Sequence, residues 1–510
     1  MRPPSAMIDP NHRPTTKPLK LSNENLPQIA TTCELVKIPT YPRGSAVKEG
    51  IVHIGVGGFH RAHMAVYINQ LMQKHNINDY GICGVGLQPA DSQMRDALES
   101  QNHLYTVIER SAVGSAVSVI GSINSYLFAP DDPEAVIAKM AHPDTHIVSL
   151  SITESGYYYN KNTHELQVDH PDIQSDLANE KIPRTTFGFL YAALERRYKQ
   201  GLRPFTVISC DNIQKNGSIA RLVLESLAYL RNPNVAKWIS EQGSFPNTMV
   251  DRITPQTSAA DRKDLADNFG IEDAWPVVTE PFKQWVIEDQ FSEGRPPFEK
   301  VGIQIVDIHT VEQFEKHKLR LLNASHSAIG YPGQLAGFLY VHEVMENAFF
   351  RRFIWQMVQG EVKPLLSEIP SSDVGIDEYC SILIDRFSNP TIMDQLSRVC
   401  LNASGKIPQF IIPSISEAIR VGGPLRRLCF VLAAWFRYID GIDDHGRTFD
   451  VDDPMCAELQ AATSPDGLLG IKTLFGDDLR SEGRFLQEIT TAMQDIGQVG
   501  VMRALPKYID

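Results

Sequence analysis

From residue 47 onward, short runs of β-branched and apolar residues alternate with stretches in which apolar positions recur at helical spacing. That alternation predicts an α/β domain with a mainly parallel sheet. The first strand falls on Ile51-Val52-His53-Ile54, and after it Met64, Tyr67, Ile68, Leu71 and Met72 keep the spacing of one helix face. Further strands are expected over 82–87, 146–152 and 206–209, with a helix over 219–230. Around 292–302 a glycine and paired prolines break regular structure and suit a linker. Beyond it amphipathic helical patterns dominate, over 311 to about 326, 335–350 and 425–439, so the second domain is expected to be mostly α. The reading is an extension over 1–46, rich in Pro, Thr, Asn and Lys, that wraps the surface or frays; an α/β nucleotide-binding domain over 47–298; and a helical domain over 299–510.

The 510 residues carry 48 Lys and Arg against 61 Asp and Glu, a net charge of −13 that argues against nucleic acid or anionic lipid as a partner. Seven cysteines, at 33, 83, 210, 380, 400, 429 and 456, form no C-x-x-C pair, which speaks against a disulfide framework or a cysteine-rich zinc site and for a reducing, cytoplasmic setting. No apolar run of about 18 residues predicts a membrane span, and the N-terminus lacks the apolar core of a signal peptide.

Gly55-Val56-Gly57-Gly58-Phe59-His60 sits between the first strand and a helix, where glycines let backbone approach a pyrophosphate. A tight strand-to-helix turn without a ligand is the alternative. The second strand ends Gly86-Leu87-Gln88-Pro89 with no terminal acid; the nearest, Asp91, suits either a ribose hydroxyl or the N-cap of a helix starting at Ser92. His60 and His63 lack a third ligand of the usual type, so a hydrogen-bonded structural role is expected and no metal site. Tyr157 and Lys161 have Y-x-x-x-K spacing but read as a strand end and turn, not the helix that pairing needs. In Lys318-Leu-Arg-Leu-Leu-Asn323-Ala-Ser-His326, polar residues interrupt a helical pattern; at about 100° per residue Lys318, His326 and Asn323 fall near 0°, 80° and 140°. That broad face suits a lysine base beside groups that polarise a hydroxyl or carbonyl, or simply a solvated helix side.

Lys318-x5-Asn323-x2-His326 and the Gly55-x-Gly57-x-Phe59-x-Arg61-Ala62-His63 turn together resemble the polyol-specific long-chain dehydrogenase/reductase (mannitol dehydrogenase) family. Thr153-Glu154-x-Gly156-Tyr157, Cys210-Asp211-Asn212 with Asn216-Gly217, Val250 to Pro255, and Glu280-Pro281-Phe282 with Trp285 agree in order and spacing, over roughly 47–500. The resemblance implies an extended Rossmann-type N-terminal domain plus a mostly α-helical C-terminal domain, with the active site in the cleft between them. It implies a metal-independent enzyme that uses NAD to interconvert mannitol and fructose at C2. By that likeness Lys318 is the general acid/base, Asn212 and Asn323 stabilise the reacting oxygen, and Glu154 relays the proton to solvent. His326, Asp251, Arg398 and Lys406 bind substrate, and Gly55, Gly57, Gly58, Phe59 and Asp91 bind cofactor. Family relatives that act on arabinitol or on sugar acids such as mannonate and fructuronate are the alternatives. The expected partner is a small polyol or ketose, with no nucleic acid and no membrane, acting on a monomer. A zinc-dependent polyol dehydrogenase would need a Cys/His/Glu ligand set that the sequence does not offer, and a nucleotide-binding sensor would have no use for Lys318 and Asn323.

Overall fold

In a computed structural model that describes residues 17–32, 36–161, 163–179, 182–369, 374–462, 464–476 and 479–509, the chain divides into two units, Met1–Glu312 and Gln313–Asp510. The first is built on strand β1 (Ile51–Ile54), the short helix α1 (Gly58–Ala62), α2 (Met64–His75), β2 (Ile82–Gly86), β3 (Ile123–Phe128), β4 (Ile147–Leu150), α3 (Thr186–Gln200), β5 (Thr206–Ser209) and α4 (Asn216–Arg231). Its five strands are all parallel, in the order β5-β4-β1-β2-β3.

Every residue of β1, β2, β4 and β5 is buried, as expected of strands covered on both faces. Val52, Ile54, Val148 and Leu150 pack on one side with α3 and α4, while Ile51, Ile147 and Ile208 pack on the other with α2. Chain order therefore reverses direction in space between β1 and β4. At such a switch the loops leaving the carboxyl ends of the two strands part and open a crevice, where α/β sheets hold ligands.

A second, three-stranded sheet joins β6 (Thr248–Asp251), β7 (Gln284–Glu288) and β8 (Gln304–Val306). Because β8 pairs in parallel with β7, and Phe298 is fully buried, the Pro-Pro segment is an internal part of the first unit. Residues ahead of β1 are tied down as well: Leu19–Lys20 pairs with Ile271–Glu272, Val36–Lys37 pairs with Val117–Ser118, and Leu21 and Ile29 are buried. Residues 1–16 and Cys33, part of the expected extension, lie outside the described residues, and the six described cysteines are free.

Helix α5 (Ile308–His317) contains the division between the units. It runs into a π-helical segment, Lys318–Asn323, and then α6 (Ala324–Leu335). Among the described residues the second unit has no strand beyond isolated bridges. Its core gathers α6, α7 (Leu396–Cys400), α8 (Ala403–Phe410), α9 (Arg426–Tyr438) and α10 (Gly483–Val499) around Ile329, Tyr331, Phe430 and Trp435. α9 is the centre of this packing, with eleven of its thirteen residues buried. The patterns read over 311–326 and 335–350 are thus broken into shorter pieces, the first by the π segment and the second by turns around 336–340 and at Asn347. Among the described residues no helix is long and apolar enough to cross a membrane.

Candidate active site

After β1 the chain turns at Gly55, whose φ is +90° and where a Cβ would stand 2.1 Å from the Ser151 carbonyl oxygen. Only glycine satisfies both conditions. Gly57 is different: its backbone is extended, and no atom lies within 4 Å of the place a Cβ would take. Gly57 is exposed, and the space beside its Cα at the sheet's carboxyl edge is open, which fits the close approach of a dinucleotide pyrophosphate. Gly58 starts α1, and the Phe59 ring stacks on His63 at 4.8 Å. α1 stops after Ala62, so the turn feeds a one-turn helix that breaks at His63 before α2 begins.

Asp91 accepts a hydrogen bond from the Gln88 backbone N–H at 2.8 Å and packs on Gly86, the last residue of β2; a Cβ on Gly86 would meet Asp91 Cβ at 2.6 Å. Its carboxylate makes no bond to the first turn of the helix Ser92–Glu99. Asp91 thus caps the turn Pro89–Asp91 and not that helix, and stands at the end of the second strand.

His53, His60 and His63 are all buried. His63 Nε2 meets the Gln284 carbonyl oxygen at 2.9 Å, whereas His60 lies flat on His53, with 3.4 Å between ring centroids, and has no hydrogen-bond partner on either nitrogen. The hydrogen-bonded role expected of His60 is therefore corrected to one of stacking. Burial pushes His53 and His63 down to about 3, and burial followed by repulsion from neighbouring cationic groups pushes His60 well below its ordinary value. Among the described residues there is no group of three or more His, Cys, Asp or Glu able to hold a metal ion.

Glu154 and Asn212 leave the carboxyl ends of the adjacent strands β4 and β5, and both are exposed. Glu154 pairs with Lys161 at 3.0 Å, while Tyr157 is buried and donates to Asp211 at 2.8 Å. Tyr157 closes a 3-10 turn and Lys161 follows a short strand, so the Y-x-x-x-K spacing brings nothing together. Between Glu154 and Asn212 lies a feature the sequence did not reveal. Thr153 has φ 62° and ψ 166°, a region nearly confined to glycine and costing about 1–3 kcal/mol for other residues. Asp211 holds it there, accepting from Ile152 N–H at 3.1 Å and Thr153 N–H at 2.9 Å. Asp251, at the end of β6, is buried, and the neighbouring Arg252 donates to the Glu280 carbonyl oxygen at 3.0 Å, which brings the Val250–Pro255 and Glu280–Trp285 motifs side by side.

In the second unit Lys318 is only 8% exposed, so a solvated helix side is ruled out. Its segment is π-helical, with i→i+5 bonding and hence a wider turn than an α-helix. Lys318 and Asn323 are thereby closer in angle than the about 140° that α geometry sets between them. His326 follows one turn later on α6, its ring 4.8 Å from Phe387. Gly330 and Gly333 let α7 press onto α6: a Cβ at either would come within 3.0 Å of Cys400 Sγ or Leu396 Cδ1. Arg398 is on the same short helix, with its side chain nearly half exposed. α8, with Lys406, packs on the π segment itself. Lys406 Nζ donates to the Val399 carbonyl oxygen at 3.0 Å. Arg398 forms a two-pronged pair with the buried Asp394, at 2.7 and 2.6 Å, a partner whose only sequence signal is its i, i+4 spacing.

Residues 49–300 match the mannitol dehydrogenase Rossmann domain and residues 310–497 the mannitol dehydrogenase C-terminal domain. The chain is 75% identical over 502 residues to a mannitol 2-dehydrogenase of Aspergillus oryzae, covering 97% of this chain and all of that one. Among solved structures it resembles the Pseudomonas fluorescens mannitol 2-dehydrogenase ternary complex with NAD and D-mannitol (TM-score 0.87, 42% identity, 96% of this chain and 99% of that one). It also resembles a D-sorbitol dehydrogenase in substrate-free form (TM-score 0.85, 35% identity, 95% of this chain and 100% of that one). With both family domains matched in order and the resemblance running nearly end to end, the chain belongs to the mannitol dehydrogenase family.

Proposed function

We propose that the protein is an NAD-dependent mannitol 2-dehydrogenase that interconverts D-mannitol and D-fructose. The observation that carries this reading is the buried Lys318 at the head of a π-helical segment that ends at Asn323, in a chain whose relative at 75% identity is a mannitol 2-dehydrogenase. π segments of this kind cluster at functional sites because they break the helix register to aim side chains.

The bare backbone at Gly57 and the acid at Asp91 fit a dinucleotide with a free ribose 2′-hydroxyl, since a carboxylate accepts from the hydroxyl and repels a 2′-phosphate. When bound, NAD supplies the hydride acceptor. Lys318 takes the proton from the substrate's C2 hydroxyl in oxidation and returns it in reduction. Asn323 and Asn212 direct amide N–H groups to the reacting oxygen, and fixed dipoles of this kind stabilise developing charge without reorganising. Glu154, exposed at the end of β4, passes the proton to solvent. His326, Asp251, Arg398 and Lys406 hold the remaining hydroxyls.

A neutral polyol is favoured over a sugar acid by one contact. Asp394 already occupies the Nε and Nη2 edge of Arg398 and offsets its charge, so a substrate carboxylate would meet a guanidinium already paired with a buried carboxylate. The test is Lys318→Ala: loss of a proton-transfer group lowers kcat by about 10²–10⁴ while NADH affinity, read by fluorescence, stays within about twofold. Retention of more than about a tenth of wild-type kcat would refute the role.

A further inference from the structure

The loops that leave β4 and β5 are joined by a single carboxylate. Asp211 Oδ1 accepts from Thr153 N–H at 2.9 Å, and Oδ2 accepts from Ile152 N–H at 3.1 Å and from the Tyr157 hydroxyl at 2.8 Å. The Tyr157 hydroxyl in turn meets Ser209 Oγ at 2.5 Å, so a buried relay anchors the clamp to the last residue of β5. Thr153 is β-branched and sits at φ 62°, ψ 166°, a conformation that persists only where surrounding contacts over-determine it. The residue after Thr153 is Glu154, and the residue after Asp211 is Asn212.

We propose that Asp211 is a positioning residue: its carboxylate clamps the strained Ile152–Thr153 turn and thereby fixes the directions in which Glu154 and Asn212 leave the sheet. Two consecutive N–H groups aimed at one carboxylate leave the turn a single geometry. With that acceptor gone Thr153 relaxes to negative φ, and the peptide that carries Glu154 swings with it. The inference rests on the roles given above to Glu154 and Asn212.

The experiment uses the full-length enzyme with mannitol and NAD. Asp211→Asn keeps the shape but turns an N–H donor toward one of the two backbone donors. It should lower kcat by about 10- to 100-fold, the cost of misplacing a reacting group by about 1 Å, with the KM for mannitol and the NADH affinity within about threefold. Thr153→Gly added to Asp211→Asn removes the penalty of the strained conformation and should recover about tenfold of the lost rate. The pH profile of kcat in Asp211→Asn should also move in the same direction as in Glu154→Gln, which a merely loosened fold would not produce. If Asp211→Asn keeps more than about half the wild-type kcat, or if the Thr153→Gly double variant recovers nothing, the proposal is overturned. Where Asp211→Asn is insoluble, Tyr157→Phe, which removes one donor, is judged by the same rescue. Wild-type rates in both Glu154→Gln and Asn212→Ala would instead overturn the reading of the site on which the inference stands.

Discussion

Gly55 and Gly57 are two residues apart in one turn, yet the structure assigns them opposite sensitivities. In Gly55→Ala the left-handed φ of +90° costs about 1–2 kcal/mol for a residue with a Cβ. The new methyl would also lie 2.1 Å from the Ser151 carbonyl oxygen, so β1's exit and β4's exit must part by about 1 Å, an overpacking cost of about 1–3 kcal/mol. The movement strains the bonds from Gly55 N–H to the Val85 carbonyl and from Ser151 N–H to the Ile54 carbonyl, so little of the cost is recovered by relaxation. At about 2 °C per kcal/mol for a large domain, the expected loss is about 4–10 °C in Tm. Gly57→Ala adds a methyl in extended backbone with nothing inside 4 Å, so Tm should stay within about 1 °C of wild type. The methyl nevertheless occupies the space proposed for the pyrophosphate, and NADH affinity should fall by about tenfold or more. Thermal melts and NADH fluorescence titrations of the two variants decide the matter. A Gly55→Ala that melts with the wild type refutes the close-approach argument, and a Gly57→Ala that binds NADH normally refutes the cradle.

Asp91→Ala should narrow the preference for NAD over NADP by about tenfold, the equivalent of one lost charge-assisted hydrogen bond; an unchanged ratio of kcat/KM values would leave Asp91 as a turn cap alone. His53 and His63 are neutral in the fold down to about pH 3, whereas the unfolded chain protonates them below about 6.5. Their contribution is therefore complete above 6.5 and is lost on acidification at about 1.4 kcal/mol per pH unit for each histidine, so the urea midpoint should fall between pH 7 and 5; a flat midpoint would contradict the burial argument. Asp394→Asn frees the Arg398 guanidinium, and the ratio of fructuronate to fructose kcat/KM should rise about tenfold; no change would show that Arg398 does not face the substrate.

What could be read from the sequence is what rests on local pattern. The buried strands β1, β2, β4 and β5 are short apolar runs bounded by turn residues, so their places in the chain are visible from the order of residues alone. Gly55, Gly57 and Gly58 are legible because a strand, a glycine turn and a helix stand in sequence. The clamp at Asp211 is not, because its partners Ile152, Thr153 and Tyr157 lie more than fifty residues away, joined to it only by the pairing of β4 with β5. The same limit applies to Arg110, whose ion pairs with Asp261 and Asp264 bridge two distant elements.

The π segment shows a deeper reason. Lys-Leu-Arg-Leu-Leu-Asn-Ala is rich in good helix formers and its spacing reads as ordinary α, which sets Asn323 about 140° from Lys318, at the far edge of one broad face. The π segment is closely packed on several sides. Leu319, Leu321 and Leu322 are all buried, and Arg320 is held by Glu417 from the helix that follows α8. The wider π turn brings Asn323 closer in angle to Lys318 than an α turn would. The register of this segment belongs to the folded second unit and not to local spacing, which is why a helical wheel drawn on the sequence as ordinary α misplaces Asn323 relative to Lys318.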